Sequence, residues 1–206
     1  MEKRSFISGL LIAVILLLAI GCVTGGSSGG GAPTVYAIGD TGPSGVGIVF
    51  YVTDGGLHGL EVAPVDQSTS QVWSTITDAY AIRSTRLPVA IGTGSANTDA
   101  IILQNSGAAS AAKICRDYRA SKEGDWFLPS KDELNAIWTN LVDNGKGRNS
   151  GVGGFADDAF YWSSSEYDSD SAWHQYFYNG NHYGFNDKKV NFRVRAVRAV
   201  RAVRAF

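Results

Sequence analysis

Sulfur is scarce in this chain of 206 residues: it has two cysteines, Cys22 and Cys115, and one methionine. Two cysteines build neither a disulfide framework nor a zinc site of cysteine spacing. An excess of one charge is missing too. Eighteen Lys and Arg against 19 Asp and Glu leave a net charge of −1, so no overall field favours nucleic acid. Histidine occurs three times, as His58, His174 and His182. Long apolar runs are limited to one, Leu10 to Ile20, and 11 residues are too few to span a bilayer comfortably. The glycines of Gly145 to Gly154 carry no Gly-Lys-[Ser/Thr] ending, so that stretch reads as a surface loop and not a phosphate cradle.

The apolar run is a targeting segment. Lys3 and Arg4 precede it, and Ala19-Ile20-Gly21-Cys22 closes it. That ending resembles a bacterial lipobox, which implies a signal peptide over residues 1–21 and lipidation of Cys22; an uncleaved signal anchor is the alternative. Val23 follows the cysteine, where an Asp would imply retention at the inner membrane, so outer-membrane or surface display is expected. Residues 22–38 then form a tether, with Gly25 to Pro33 reading GGSSGGGAP. Its random-coil reach is on the order of 15–20 Å.

From Gly39 the composition, 44% hydrophobic over the whole chain, suits one domain with a sizeable core. Gly39 to Gly47 is turn-rich, too short for a collagen helix. Ile48 to Thr53 reads as a strand, Asp54-Gly55-Gly56 as a turn and Leu60 to Val65 as the hairpin partner. Ser68 to Thr98 is weakly patterned and reads mostly as loop. Asn97 to Tyr118 contains a helix that Gly107 can interrupt. Ser130 and Glu133 form a capping box, and Leu134, Ile137, Trp138 and Leu141 follow as one apolar face that Asn144-Gly145 ends. Trp126, Trp138, Trp162, Trp173 and Phe177 are candidate core residues.

The last third has a different makeup. From Asp168 to Phe192, Asn, Tyr, Asp, His, Ser, Phe and Gly fill 19 of 25 positions. That leaves too little aliphatic volume for a core, while its aromatic content exceeds that of disordered chain. The palette is that of a paratope, where Tyr supplies rigid contact area and Ser, Gly and Asn adaptable hydrogen bonds. Alternation places Trp173, Gln175 and Phe177 inward and His174, Tyr176 and Tyr178 in solvent, with Asn179-Gly180 as a hairpin turn. Val-Arg-Ala then repeats four times from Val194, with Arg193 to Arg198 expected to form a closing strand.

Asp125-Trp-Phe-Leu-Pro-Ser130, Tyr161-Trp-Ser-Ser-Ser-Glu166, Trp173-x-Gln175-x-Phe177 and Val194-Arg-Ala-Val-Arg198 occur in that order. With Ile38-Gly-Asp-Thr-Gly-Pro43 and Gly47-Ile-Val-Phe-Tyr-Val52, the chain resembles the DUF1566 family, the C-terminal domain family of the Legionella collagen-like adhesin. The resemblance runs from about Gly39 to the C-terminus. It implies a single α+β domain over residues 39–206 of C-type-lectin-like, formylglycine-generating-enzyme-like fold, with two helices and a small, mostly antiparallel sheet. It also implies a secreted or surface ligand-binding role. Some members are variable proteins of diversity-generating retroelements, so residues 167–192 are read as a variable region. Relatives often carry a cysteine near the position of Trp73; here Ser74-Thr75 follows, which leaves Cys115 without an expected partner.

The expected ligand surface comprises Tyr167, Asp168, Asp170, Ser171, His174, Tyr176, Tyr178, Asn181, His182, Tyr183, Phe185, Asn186, Asn191 and Phe192. Its ligand would be a protein or glycan on another cell, phage or host, with the lipid anchor as the membrane partner; self-association is left open. No cofactor or metal is expected: Glu166, Asp168 and Asp170 could gather calcium but read better as solvated acids, and His174 with His182 makes a poor metal pair. Two rival readings stand. Arg193, Arg195, Arg198, Arg201 and Arg204 could bind sulfated polysaccharide, or the inner ones could pair with acids. An enzyme of formylglycine-generating type would need reactive cysteines, and Cys115 reads as a small core residue.

Overall fold

The computed structural model describes residues 32–76, 86–120, 124–143 and 152–201. The signal segment, Cys22, most of the tether, the Asn144-Gly145 cap, most of the glycine-rich loop and the last VRA repeat lie outside the described residues. Among the described residues the fold is α+β, with three helices rather than two and two mostly antiparallel sheets.

The first sheet starts with the expected hairpin, β1 (Ile48–Thr53) and β2 (His58–Val62). Its β-branched and aromatic residues favour the pleat, and Asp54-Gly55-Gly56 turns the chain. β3 (Ser68–Val72) is a strand where loop was expected. It sits at the edge of the second sheet, so pairing rather than local pattern makes it a strand. α1 (Gly94–Gln104) and α2 (Ala111–Asp117) occupy the helical stretch. Gly107 does interrupt it: its φ of +77° is open to glycine at little cost, and the Ser110 side chain then caps α2 by accepting from the Lys113 amide.

α3 (Lys131–Ile137) begins on the capping box, Glu133 N to Ser130 Oγ at 3.3 Å and Ser130 N to Glu133 Oε2 at 2.7 Å. The Glu133 carboxylate also accepts from the Gly92 amide at 2.8 Å and so ties the approach to α1 to the start of α3. The helix runs on into a wider π-helical turn over Trp138–Asp143.

β4 (Phe160–Glu166), β5 (Ala172–Tyr176), β6 (His182–Tyr183) and β7 (Asn191–Val194) complete the second sheet, in the order β3-β7-β4-β5-β6. Only β4 and β7 run parallel there. β8 (Val197–Arg201) joins β2 in the first sheet. The single closing strand expected over Arg193 to Arg198 is therefore two strands in two sheets. A straight strand alternates with period two and would send Val194 and Val197 to opposite faces. Breaking it at Arg195-Ala196 lets Val194 and Val197 both stay buried, while Val197 and Val200, three apart within β8, are buried on opposite faces of that strand.

Two apolar clusters fill the interior. One gathers Trp73, Ile101, Cys115, Trp126, Leu128 and Trp162, the other Phe50, Val62, Leu134, Ile137, Tyr161 and Phe177. Trp138 and Trp173, expected in the core, are only half-buried.

Candidate functional site

The register of β4 on β5 pairs Phe160 with Tyr176, Tyr161 with Gln175 and Trp162 with His174. Cross-strand partners share a face. Tyr161, Gln175 and Phe177 turn toward α3 and the core, and Phe160, Trp162, His174 and Tyr176 turn the other way. At Trp162 this second face joins the core, where Ile101 of α1 and Ala111, Ala112 and Cys115 of α2 belong to the same buried cluster. From Phe160 outward, rings from β6, β7 and the loop between them pave it. Phe160 stacks on Tyr176 at 4.4 Å between centroids and lies 5.1 Å from Phe192. Phe192 meets Trp162 at 4.6 Å and His174 at 4.7 Å. Tyr183 stacks on His174 at 5.8 Å and meets Phe185 edge-on at 5.6 Å. Tyr178 extends the row from Tyr176 at 5.7 Å. Each such pair contributes about 0.5–1.5 kcal/mol beyond the area it buries, so the pavement holds its own shape.

The outer rings remain available. Phe160, Tyr176, Tyr183 and Phe192 are half-buried, Tyr178 is 43% exposed and Phe185 73% exposed. The Tyr176 hydroxyl is held by Asp158, and that hydrogen bond pushes its pKa up. Between Phe160, His174, Tyr183, Phe185 and Asn186 lies a hollow of about 340 Å3.

The expected surface residues divide three ways. Tyr176, Tyr178, Tyr183, Phe185, Asn186 and Phe192 come together on this face. His174 also belongs to it, but it is 1% exposed and not in solvent as expected. The alternation assumed water on its side, whereas rings from three other segments close over it. Burial lowers its pKa to about 4, with the Ala172 carbonyl pulling the other way. The imidazole is therefore neutral near pH 7.

The remaining expected residues lie elsewhere. His182 pairs in register with Gln175 and faces α3, where its Nε2 lies 3.1 Å from Asn135 Oδ1. Desolvation, followed by the charge of Lys131, lowers its pKa to about 4. Asn181 is exposed in the β5–β6 turn, and its carbonyl accepts from the Tyr176 amide. Asn191 is exposed on β7 and alternates away from Phe192. Tyr167 meets the ring of Trp173, which points away from His174. Asp168 and Ser171 are structural: Asp168 Oδ1 accepts from the amides of Asp170 and Ser171 at 2.9 and 2.7 Å and from the Ser171 hydroxyl at 2.6 Å. Desolvation opposes ionisation of Asp168, but these bonds outweigh it and hold the carboxyl below its usual value. The Asp170 carbonyl accepts from Lys188 N. Among the described residues, no group of three or more His, Cys, Asp or Glu could hold a metal ion.

The ends of the segment are fastened by buried charge. Lys188 Nζ lies 2.6 Å from Glu166 Oε1, donates to the Ser169 carbonyl at 2.7 Å and sits 4.8 Å over the Trp73 ring. Arg193 and Arg195 both reach Asp66 at 2.7 Å. Arg195 is fully buried, donates to the carbonyls of Ala63 and Gly153 and lies over Phe155. Arg198 meets Glu61 at 3.5 Å and also Asp125. The inner arginines are thus engaged by acids, as the second of the two readings of the arginine-rich end has it. Cys115 is free and wholly buried, and burial pushes its thiol well above the ordinary range.

Sequence reasoning overlooked Phe160 as a surface ring and Asp158 and Lys188 as supports. The period-two step from Trp162 back to Phe160 was a usable signal for the first. Nothing local marks the other two.

Fold and site together define an α+β domain that carries a ring-paved sheet face braced by buried ion pairs. The chain belongs to the Lcl C-terminal domain family, whose model matches residues 63–198. No curated protein matches the chain. Among solved structures, a fimbrial protein from Bacteroides ovatus ATCC 8483 is 14% identical, with a TM-score of 0.45 over 69% of this chain and 35% of that one. The chain thus spans about a third of that protein's length.

Proposed function

We propose that this protein is a lipid-anchored surface protein of adhesin type that binds a macromolecular ligand through the ring-paved face and performs no chemistry. One observation carries the reading. Six residues of the paratope-like segment, Tyr176, Tyr178, Tyr183, Phe185, Asn186 and Phe192, converge on one partly exposed sheet face, while buried ion pairs brace the segment behind them. Exposed apolar surface of this kind mostly marks an interaction site. Membership of the Lcl C-terminal domain family supports display at the cell surface, and Cys22 with its glycine-rich tether supplies the anchor and the reach. The C-type-lectin-like reading of the fold and retroelement diversification of residues 167–192 belong to the same proposal. The division of the segment supports the latter: variable positions can lie on the paved face while Lys188, Ser171 and Gln175 keep the frame.

Sequencing the coding region of residues 167–192 across a natural population of the source organism tests this. Substitutions are expected at Tyr176, Tyr178, Tyr183, Phe185 and Asn186 and spare Trp173, Gln175, Phe177, Gly180 and Lys188. A uniform sequence would sink diversification and leave an adhesin of fixed specificity; substitutions spread equally over buried positions would sink the binding face itself.

A further inference from the structure

The hollow is lined by more than rings. His174 Nδ1 lies 3.2 Å from the Ala172 carbonyl, an acceptor, so Nδ1 carries the proton. The other nitrogen, Nε2, is then a lone-pair acceptor on a residue 1% exposed, and the bond made by this ring among the described residues is the one through Nδ1. Tyr183 and Asn186, which carry a hydroxyl and a carboxamide, line the same hollow. The side chains of His174, Tyr183 and Asn186 thus line a space with Phe160 and Phe185, and among the described residues no charged side chain lines it.

We infer that this hollow seats one pyranose ring of a neutral glycan, with Phe160, Tyr183 and Phe185 against its C–H surface and His174, Tyr183 and Asn186 on its hydroxyls. The inference rests on the paved face being a binding surface. Three features select this occupant. The volume lies at the small end of ligand pockets, which suits one ring rather than an extended segment. An aliphatic or phenyl side chain of a protein partner would cover three hydrogen-bonding groups and satisfy none, leaving each with its full desolvation cost. A polyhydroxylated ring offers donors and acceptors to all three. A sulfated sugar would bring its charge into a neutral, ring-lined space, with the inner arginines of the chain held by Asp66, Glu61 and Asp125.

The test uses the full chain, as wild type and as Phe185→Ala and Asn186→Ala. Both positions lie outside the buried core, and circular dichroism checks that both variants fold. Saturation-transfer NMR is read against a panel of neutral hexose oligosaccharides and their sulfated counterparts. The expected result is transfer to ring protons of at least one neutral oligosaccharide, weakened roughly tenfold or more in each variant and unchanged in about 0.5 M salt. Transfer to sulfated oligosaccharides alone, abolished by that salt, would overturn the inference. So would equal transfer in wild type and variants, or no transfer from any member of the panel. The population survey stands apart from these outcomes: substitutions confined to the paved face with no carbohydrate signal would remove the glycan and keep the binding surface.

Discussion

Acidification should destabilise this domain through His174, and the size of the effect follows from its burial. In the folded state the imidazole is 1% exposed among Phe160, Trp162, Tyr183 and Phe192, and its pKa is about 4 against an ordinary 6.5. The unfolded chain takes up a proton below about 6.5, while the folded protein refuses it until about 4. Between those values the unfolded state binds more protons, so stability falls as pH falls. The contribution is complete above the upper value and lost by the lower one. At about 1.4 kcal/mol per pH unit for each proton, His174 alone accounts for roughly 3 kcal/mol across this window. His182, whose pKa is also about 4, titrates over the same range and adds to the slope with the same sign. His174→Phe keeps a ring among its neighbours and removes the titration. It forfeits the bond to the Ala172 carbonyl, about 1 kcal/mol and independent of pH. Urea unfolding of wild type and variant at a series of pH values from about 7.5 to about 4.5 separates the two effects. The variant should start slightly less stable and then lose clearly less stability on acidification. Parallel curves would refute the buried, neutral imidazole.

Gly180→Ala should cost about 1–3 kcal/mol, because φ at this turn is +74° and a Cβ would come within 2.7 Å of the Trp138 ring. Thermal unfolding should shift downward and the Tyr176 amide, bonded to the Asn181 carbonyl, should exchange faster; an unshifted midpoint would count against the turn geometry. Cys115 should resist alkylation in the native protein and react in urea, since burial keeps its thiol protonated. Mass spectrometry of the peptide containing Cys115 reads this out, and rapid native labelling would contradict the buried environment.

Some of this structure is written locally. The Ser130–Glu133 capping box, the β1–β2 hairpin, the break at Gly107 and the turn at Asn179-Gly180 each depend on residues a few positions apart. Their chemistry can be read from spacing and φ preference alone. The composition of the last third likewise marked it as unsuited to a core. Tertiary structure decided which of its residues reach water. Alternation along β5 separates His174 from Gln175 but says nothing of what covers either face. Rings from β4, β6 and β7 bury His174, and α3 receives His182 through Asn135. The split of the C-terminal repeat into β7 and β8 depends on Asp66 and Ala63, far away in the chain, which take the Arg195 guanidinium at the break. Lys188 looks like one polar residue among many until Glu166, Ser169 and Trp73 surround it. Local periodicity fixes direction relative to the strand; burial is set by the partner that arrives from elsewhere, and only folding brings that partner in.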